Sequence, residues 1–246
     1  MFLLDKLKGG RLSEIYWYVR NLVSYIFVDK IPQQFGMSTY EDYWIQRLEK
    51  EGMEGYSYPD IYKILKKRIK NNSRLLDIGC GNGELIHLLS NHLNIDCIGI
   101  DISQIAVDAA KKKGVNAKVF DLFNDDMKRI GDVDYITMFE VLEHIPNAEE
   151  AMLKIKDAFK SKTCFFSIPN TGSLYDRARL LMGRFPKQWV VHPSEHVRFW
   201  TLTDFKFTLS YLDIKLIKIH TIPHVSVLHK LSPDLFSQSF VFEVKL

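Results

Sequence analysis

A short polar turn contains the residues of this chain whose types and spacing could do chemistry. Asp77 lies in an apolar run, and glycines follow it at three alternate positions, Gly79, Gly81 and Gly83. Glycine lets the backbone bend sharply and leaves no side chain between the backbone and a ligand. The residues after Gly83 are expected to begin a helix, whose first N–H groups can bind a polar ligand. The turn therefore predicts a cradle for a nucleotide-like molecule.

The spacing of the glycines restricts which molecule this is. A dinucleotide-binding turn has the pattern G-x-G-x-x-G, and Glu84 stands where the third glycine would be. A P-loop is excluded because no Gly-Lys-Ser/Thr sequence follows. Asp77 would repel a pyrophosphate, but it would attract a cationic or zwitterionic ligand. We therefore expect an adenosine that carries an amino-acid arm rather than phosphates.

The segment from Asp77 to Gly83 resembles the first motif of the class I S-adenosylmethionine-dependent methyltransferases. Segments that resemble the other motifs of this family follow in the family's order: Ile98 to Asp101, Val115 to Leu122, Tyr135 to Pro146, and Phe165 to Asn170. One glycine turn alone would be a weak signal, but an ordered series of motifs is a specific one. The likeness covers roughly residues 40 to 246.

The resemblance implies S-adenosylmethionine as the cofactor and S-adenosylhomocysteine as its product. Asp101 is then expected to bind the ribose hydroxyls, as the acid after the second strand does in nucleotide-binding α/β folds. Asp121 is expected to bind the adenine amino group, and Leu122 to pack on the ring. The whole expected cofactor-binding set is Asp77, Gly79, Cys80, Gly81, Asn82, Gly83, Asp101, Ile102, Asp121, Leu122, Phe139 and Glu140.

The three acids also have purely structural interpretations. Asp77 and Asp101 could each cap the helix that follows. Asp121 is close to other polar residues, Asn124, Asp125 and Asp126, so it could belong to an acidic loop that only faces solvent. The sequence leaves these interpretations open beside the cofactor-binding one.

Two histidines are candidate catalytic residues, because methyl transfer often requires a base that removes one proton from the acceptor. His144 follows the fourth-strand motif. His196 lies in the segment from His192 to Thr201, which resembles a stretch that borders the active site in methyltransferases of small metabolites and of cell-surface saccharide or lipid-precursor pathways. Histidine titrates near neutral pH, so either could act as the base. Alternatively, each histidine only orients its loop.

A metal site formed by Glu140, Glu143 and His144 is the alternative to a general base. The pattern is similar to the ligand set of the ubiquinone-pathway O-methyltransferases and of the small-RNA 2′-O-methyltransferases, and His196 could supply a fourth ligand. The same pattern is common among family members that use no metal. We therefore expect no divalent metal.

The apolar segments between the motifs predict the fold that must position them. Strands and helices alternate from residue 74 to residue 168, with helices predicted at 83–92, 103–113 and 147–160, which favours a parallel sheet with helices on both faces. Before them, Thr39 to Glu51 predicts a helix with Thr39 as its cap, and Ile61 to Ile69 predicts another. Two segments rich in β-branched and aromatic residues, Ile214 to His220 and Ser239 to Lys245, predict the closing strands. The resemblance implies an α/β, Rossmann-like, seven-stranded and mostly parallel sheet whose last strand is antiparallel.

The chain is expected to consist of an N-terminal helical extension, residues 1–40, and a methyltransferase domain, residues 41–246. In the extension, Leu12 to Val28 predicts an amphipathic helix over the active-site mouth or at a dimer contact. Its Trp and Tyr content and the cations upstream leave peripheral membrane attachment as the alternative. In the domain, residues 171–191 predict a lid helix with one apolar face, formed by Leu174, Ala178, Leu181 and Met182. The arginines beside that face could bind a phosphate or carboxylate of the acceptor, or only face solvent.

Composition and length fit an enzyme of this kind. The chain of 246 residues is long enough for one large α/β core. Its net charge of +3 is too small to indicate nucleic-acid binding. Three cysteines in or beside predicted buried strands indicate a reducing compartment. With no signal peptide and no transmembrane helix predicted, we expect a cytoplasmic protein, peripheral at the membrane at most, and a monomer or homodimer.

These observations together predict an enzyme that methylates a small molecule, with oxygen as the first candidate for the methylated atom and nitrogen and carbon left open. The acceptor is expected to be lipid-linked, a saccharide or aromatic, and no nucleic-acid partner is expected. One alternative is a non-catalytic module that binds a partner through the N-terminal helix, which the intact glycine turn and its acids disfavour. The other is an RNA methyltransferase, which the modest charge and the lack of a basic-aromatic stripe disfavour.

Overall fold

The protein is described here by a computed structural model covering residues 39–49, 58–188, 192–223 and 228–246. The predicted N-terminal helix, Leu12 to Val28, lies outside these residues. Among the described helices, none has the length and apolar character needed to cross a membrane.

Seven strands of the described residues form a single sheet: β1 (Arg74–Ile78), β2 (Asp96–Asp101), β3 (Ala117–Val119), β4 (Tyr135–Met138), β5 (Thr163–Pro169), β6 (Lys215–Pro223) and β7 (Ser237–Lys245). Their spatial order is β3-β2-β1-β4-β5-β7-β6. Strands β1 to β5 run parallel, and β7 is antiparallel to both β5 and β6. The predicted seven-stranded, mostly parallel sheet with an antiparallel last strand is confirmed.

The α-helices of the described residues are α1 (Tyr40–Glu49), α2 (Tyr58–Lys66), α3 (Glu84–Ser90), α4 (Gln104–Lys112), α5 (Ala148–Ala158), α6 (Leu174–Leu181), α7 (Leu202–Tyr211) and α8 (Pro233–Phe236). Most lie within a few residues of their predicted positions. The helix predicted from Ile61 to Ile69 instead begins at Tyr58, because Pro59 fits the first turn of a helix. The predicted cap of α1 is present, since Thr39 Oγ1 accepts a hydrogen bond from the backbone N–H of Asp42 at 3.1 Å.

Both faces of the sheet are covered by apolar clusters. Successive side chains of a strand point to opposite faces. Leu75 of β1 packs in one cluster with Leu65 of α2, and Leu76 packs in the other with Ile155 of α5. All four side chains are fully buried. Strand β1 is therefore the covered centre of the sheet. The cysteines are free and buried at three positions, Cys80, Cys97 and Cys164.

The carboxyl ends of the parallel strands meet at one edge of the sheet, which is where the site must lie. The connections run from β1 to β2 on one side and return to β4 on the other, so the topology switches between β1 and β4. Ligands of such sheets bind in the crevice at this switch point. The glycine turn follows β1, Asp101 ends β2, and the segment containing Glu140, Glu143 and His144 follows β4.

Candidate functional site

The glycine turn needs glycine at each of its three positions. Gly79, Gly81 and Gly83 have φ of 71°, 53° and 74°, in the left-handed region that other residues rarely adopt. A Cβ at Gly79 would overlap Cγ2 of Val141, and a Cβ at Gly81 would lie 2.5 Å from Cη2 of Trp44. The turn is therefore both bent and closely covered.

Asp101 connects the end of β2 to this turn. Its Oδ2 accepts a hydrogen bond from the backbone N–H of Gly81 at 2.8 Å, and its Oδ1 accepts one from Ser103 at 2.9 Å. Asp101 does not cap α4, because the cap is Ser103, whose Oγ accepts from the N–H of Ala106. Burial raises the pKa of Asp101, and the two backbone N–H groups oppose this rise. Each oxygen keeps a lone pair that a ligand hydroxyl could use.

Asp77 is the second buried acid of the site. Thr137 Oγ1 donates a hydrogen bond of 2.6 Å to its Oδ1. Burial raises the pKa of Asp77 to about 7, with the Thr137 hydroxyl opposing and the charge of Asp101 adding to the rise. Asp77 does not cap α3, which begins after Gly83 without a side-chain cap. Two buried carboxyls that disfavour each other's charge favour a cationic group between them.

The neighbours of these acids differ in what they offer. Ile102 is 55% exposed beside the buried Asp101, so it presents an apolar surface at the end of β2. Cys80 is buried, and burial raises the pKa of its thiol, which makes it a small packing residue. Asn82 is half-buried in the turn.

Asp121 mainly stabilises its own loop. Its Oδ1 accepts hydrogen bonds from the N–H groups of Phe123 at 2.8 Å and Asn124 at 3.2 Å, and its Oδ2 accepts one from the Asn124 amide at 2.8 Å. The Asn124 amide is the main cause that lowers the pKa of Asp121. Leu122 packs in the core and is 9% exposed. Both remain predicted cofactor contacts.

Glu140 turns the chain sharply after β4. It follows the buried Phe139 and has a φ of 53°, an uncommon conformation for a residue other than glycine. Ser167 of β5 holds it in place: its Oγ accepts from the Glu140 N–H at 2.8 Å and donates to Glu140 Oε1 at 2.9 Å. The sequence does not single out Ser167, whose only signal is a polar side chain inside an apolar strand.

Glu143, His144 and His196 form a compact cluster beyond β4. Their ligand atoms all lie within 4.8 Å of one another. Glu143 is 1% exposed, and none of the described donors bonds to either of its carboxylate oxygens. The nearest imidazole nitrogen is His196 Nε2, 4.0 Å from Oε1. Burial, and next the charge of Glu140, raise the pKa of Glu143 well above its usual value and favour its uncharged form.

The surroundings of the two histidines of the cluster favour their neutral forms. His144 Nδ1 lies 2.6 Å from the carbonyl oxygen of Glu195. Because a carbonyl only accepts, Nδ1 carries the proton and Nε2 keeps a lone pair. Desolvation lowers the pKa of His144 to about 4, with the Glu195 contact opposing and Arg47 adding to the effect. Desolvation and His144 lower the pKa of His196, whose ring centroid lies 4.8 Å away.

Backbone hydrogen bonds bring His196 to His144 across fifty residues of sequence. The carbonyl oxygen of Glu143 accepts from the N–H groups of Val197 at 2.8 Å and Arg198 at 3.1 Å. The Arg198 guanidinium also forms a forked ion pair with Glu149 at the start of α5. The two predicted catalytic histidines therefore lie together because their loops are bonded to each other.

Helix α1 contacts three parts of the site. Glu41 accepts hydrogen bonds from Ser103 Oγ at 2.7 Å and from the N–H of Gln104 at 3.1 Å, at the beginning of α4. Trp44 lies over the glycine turn. The ring of Tyr43 lies 6.2 Å from that of His144. The sequence predicts this helix, but nothing in it indicates that these side chains reach the site.

A comparison with known protein families decides which family this is. Residues 50–212 match a family model described as a methyltransferase domain. The chain belongs to this methyltransferase family. The resemblance to class I S-adenosylmethionine-dependent methyltransferases that the motifs carry is thereby confirmed.

Individual methyltransferases that resemble the chain differ in their named substrates. It is 28% identical over 153 residues to a ubiquinone biosynthesis O-methyltransferase of Coxiella burnetii, covering 54% of this chain and 64% of that one. It is 33% identical over 85 residues to the eEF1A lysine and N-terminal methyltransferase of Mus musculus, covering 34% and 12%. The chain thus spans less than two thirds of either relative. A solved small RNA methyltransferase shares the fold, with a TM-score of 0.59 and 23% identity over 80% of this chain and 26% of that one.

The predicted lid of this methyltransferase is built differently from the expectation. The predicted apolar face of α6 is not its buried side, because Leu181 is 87% and Met182 55% exposed. Asp176 and Arg179 are buried instead. Arg179 Nε donates to the carbonyl oxygen of Phe185 at 2.7 Å, so this arginine is used inside the protein rather than offered to an acceptor.

Proposed function

We propose that this protein is an S-adenosylmethionine-dependent methyltransferase that methylates a small-molecule acceptor at oxygen. The observation that carries the proposal is the meeting of two half-sites at one edge of the sheet. The glycine turn bonded to Asp101 forms one half. The neutral cluster of Glu143, His144 and His196 forms the other. A transferase that joins two molecules needs two such adjoining sites.

The donor half has the chemistry that S-adenosylmethionine requires. Asp101 can accept bonds from ribose hydroxyls, and the exposed Ile102 offers an apolar surface to the adenine. The buried pair of Asp77 and Asp101 favours a positively charged group, which the amino-acid arm provides. The cofactor, when bound, supplies an electrophilic methyl group on a sulfonium. Asp121 and Leu122 are kept as proposed adenine contacts, and Gly79, Cys80, Asn82, Phe139 and Glu140 as further proposed cofactor contacts.

The acceptor half can handle a proton. His144 Nε2 has the lone pair to accept the proton of an acceptor hydroxyl, and Glu195 fixes the tautomer from the other side of the ring. His196 lies beside it and can orient the hydroxyl. Glu143, beside them, is buried. The proposed catalytic residues are therefore His144 and His196.

The same cluster is also a possible ligand set for a divalent cation. Glu143, His144 and His196 each offer one ligand atom, and these atoms lie within 4.8 Å of one another. His144 Nδ1 also donates a hydrogen bond to the carbonyl oxygen of Glu195, and such a bond typically orients a histidine that binds a metal. In that role the residues would hold a cation that lowers the pKa of the acceptor hydroxyl. Our proposal keeps the general base, and the two roles make different predictions about chelation.

The nature of the acceptor is argued from the site and from the relatives. The side chains of the acceptor cluster, with Glu143 buried among them, suit the hydroxyl of a small molecule. The Coxiella burnetii relative is named as a ubiquinone biosynthesis O-methyltransferase, which supports a small hydroxyl compound. The names of the other similar proteins make a protein lysine and a small RNA the rival acceptors. Lipid-linked, saccharide and aromatic acceptors, a cytoplasmic location and a monomeric or homodimeric state stay predictions.

A screen with methyl-labelled S-adenosylmethionine tests the proposal. The full chain is incubated with phenols, catechols and saccharides, with lysine peptides, and with small RNAs, and an Asp101→Asn variant serves as the inactive control. We expect label transfer to a small hydroxyl compound, with release of S-adenosylhomocysteine. Transfer only to peptides or only to RNA would contradict the small-molecule acceptor. Failure to bind the cofactor and to label any acceptor would favour the non-catalytic module.

A further inference from the structure

One short segment, residues 195–198, supplies two of the groups that surround His144. The carbonyl oxygen of Glu195 lies 2.6 Å from His144 Nδ1, which places the proton of the neutral ring on that nitrogen. The next residue is His196, whose ring centroid lies 4.8 Å from that of His144. Whatever holds this segment therefore sets both the tautomer of His144 and the position of His196.

The backbone hydrogen bonds of the segment converge on a single atom. The carbonyl oxygen of Glu143 accepts from the N–H of Val197 at 2.8 Å and from the N–H of Arg198 at 3.1 Å. Two bonds that share one acceptor leave the segment free to pivot about that atom. Such a pivot would carry the Glu195 carbonyl away from His144, so a second point of attachment is needed.

The side chain of Arg198 provides this second attachment. Its Nη1 donates hydrogen bonds to the carbonyl oxygen of Pro146 at 2.7 Å and to Glu149 Oε2 at 2.9 Å, and its Nη2 donates to Glu149 Oε1. Pro146 follows His144 by two residues, and Glu149 lies in the first turn of α5. A guanidinium bound in this forked way is fixed in direction as well as in distance.

An aromatic ring of the core supports the same guanidinium. Arg198 Cζ lies 5.1 Å from the centroid of the Trp200 ring, and Trp200 is buried. The carbonyl oxygen of Trp200 accepts from the N–H of Thr171 at 3.1 Å, so this ring belongs to a fixed part of the protein. Arg198 thus joins the segment to the loop after β4, to α5 and to the core.

We propose that Arg198 is a positioning residue for methyl transfer, which holds the Glu195 carbonyl and the His196 ring against His144. Arg198 acts through these two groups rather than on the acceptor. The inference rests on the proposed function, because it is the role of His144 as a base that makes its tautomer matter. The tautomer itself can be measured without any acceptor.

A purely structural ion pair would behave differently, and the chain offers a matched control. The side chain of Arg198 is 30% exposed, and ion pairs at this exposure contribute little to global stability. Lys156, at 24% exposure, also bonds to backbone and carboxylate. Its Nζ donates to the carbonyl oxygens of Leu212 at 3.0 Å and Asp213 at 2.7 Å. Lys156 ties α5 to the loop before β6, so it lies outside the loops that carry the two histidines.

NMR of the full chain with ¹⁵N-labelled histidine, recorded in EDTA, tests the proposal. Couplings between ring nitrogens and ring protons show which nitrogen carries the proton, and the His144→Gln variant assigns the signals of His144. We expect the proton of wild-type His144 on Nδ1. Arg198→Ala should add a second form with the proton on Nε2, because the Glu195 carbonyl is no longer held. Arg198→Lys should show less of this form, since lysine keeps the charge but not the fork.

Two further variants keep the test decisive. Lys156→Ala should leave the His144 signals unchanged, although it removes a comparable tether. Glu149→Gln removes the ion pair while Arg198 stays in place, and it should produce the same second form. It replaces Arg198→Ala as the deciding variant if circular dichroism shows that Arg198→Ala does not fold.

Kinetics give a readout of the reaction itself, with an acceptor found by label transfer. Arg198→Ala should lower kcat by about tenfold, because a misplaced base removes the proton less efficiently. Its affinity for S-adenosylhomocysteine should equal that of wild type, since the glycine turn and Asp101 are unchanged.

Three results would overturn the proposal. In the first, wild-type His144 carries its proton on Nε2. In the second, the folded Arg198 or Glu149 variant keeps the single wild-type form. In the third, Lys156→Ala changes the His144 signals as much as Arg198→Ala does. A wild-type protein that binds no S-adenosylhomocysteine would contradict the proposed function instead, and the NMR comparison would still decide whether Arg198 positions His144.

Discussion

The backbone N–H of Gly81 donates a hydrogen bond of 2.8 Å to Oδ2 of Asp101. This bond joins the turn after β1 to the end of β2, so the two features that indicate a nucleotide-like ligand form one unit. The carboxylate therefore has two roles: it shapes the turn, and it presents its remaining lone pairs to a ligand. Any substitution of Asp101 should affect both.

Replacing Asp101 with asparagine should weaken the binding of S-adenosylhomocysteine by at least about tenfold, because hydrogen bonds to a charged group are worth roughly 1.5–3 kcal/mol. The variant should also unfold at a lower temperature, since the new amide group cannot accept from both backbone N–H groups. Titration calorimetry and thermal unfolding measure the two effects. The control is Asp108→Asn, an exposed acid of α4. Unchanged affinity in the Asp101 variant would remove the ribose assignment.

Replacing Asp77 with asparagine should stabilise the ligand-free protein at high pH. Burial raises the pKa of Asp77 to about 7, so the folded state binds a proton that the unfolded state has lost. The contribution of Asp77 to stability therefore falls as the pH rises from the pKa that Asp77 has in the unfolded chain to about 7. Urea unfolding should show that the substitution increases the free energy of unfolding, relative to wild type, more at about pH 8 than at about pH 5. An equal gain at both values would mean that Asp77 does not titrate in this way.

Alanine at Gly81 should destabilise the protein more than alanine at Gly114. Both glycines have a positive φ, but a Cβ at Gly114 would have no atom within 4 Å, whereas one at Gly81 would meet Trp44. We expect Gly114→Ala to cost about 1 kcal/mol for its backbone conformation alone. Gly81→Ala should cost about 1–3 kcal/mol more.

A double-mutant cycle with Trp44→Ala isolates the steric contact between Trp44 and Gly81. In that background the cost of Gly81→Ala should fall toward the cost of Gly114→Ala, because the overlapping ring is gone. Chemical unfolding of the four proteins gives the interaction energy. A cycle that is additive would show that helix α1 does not cover the glycine turn.

Chelation separates the two roles of the acceptor cluster. With His144 as a general base, methyl transfer should be unchanged by EDTA, and His144→Gln should reduce kcat by about a hundredfold. Glu143→Gln should keep more activity, because burial raises the pKa of Glu143 and favours its uncharged form. Loss of activity on chelation, restored by a divalent cation, would show instead that the cluster holds a metal.

The neutral histidines should make the protein less stable in acid. Desolvation lowers the pKa of His144 to about 4, so the unfolded state binds more protons than the folded state below the ordinary histidine pKa. The stability from His144 is therefore lost as the pH falls through this window. In the presence of EDTA, His144→Gln should reduce the slope of unfolding free energy against pH between about 4 and 6.5. Equal slopes for the wild-type protein and the variant would indicate that the imidazole of His144 is exposed.

The strands could be predicted from the sequence because they are buried on both faces. Continuous apolar runs such as the one around Leu75 and Leu76 have few alternatives, and the turns between them contain glycine or acids. The beginning of α2 at Tyr58 was less accessible, because it depends on Pro59 rather than on apolar periodicity. The exposure of Leu181 was also missed, because periodicity identifies an apolar face but does not say what covers it.

The donor half of the site could be predicted because it is local in sequence. Gly79, Gly81 and Gly83 lie within five residues, and Asp101 follows at a set distance. The remaining contacts are long-range, such as Ser167 on Glu140 and Glu41 on Ser103. They depend on tertiary packing, which a single sequence does not encode in any local pattern.

The measurement that tests the account most directly is a calorimetric titration of the full chain with S-adenosylhomocysteine, followed by one with NAD. The glycine spacing and the buried pair of Asp77 and Asp101 predict one-to-one binding of S-adenosylhomocysteine and no heat from NAD. Binding of NAD without S-adenosylhomocysteine would contradict the account, because the turn would then hold a pyrophosphate beside Asp77.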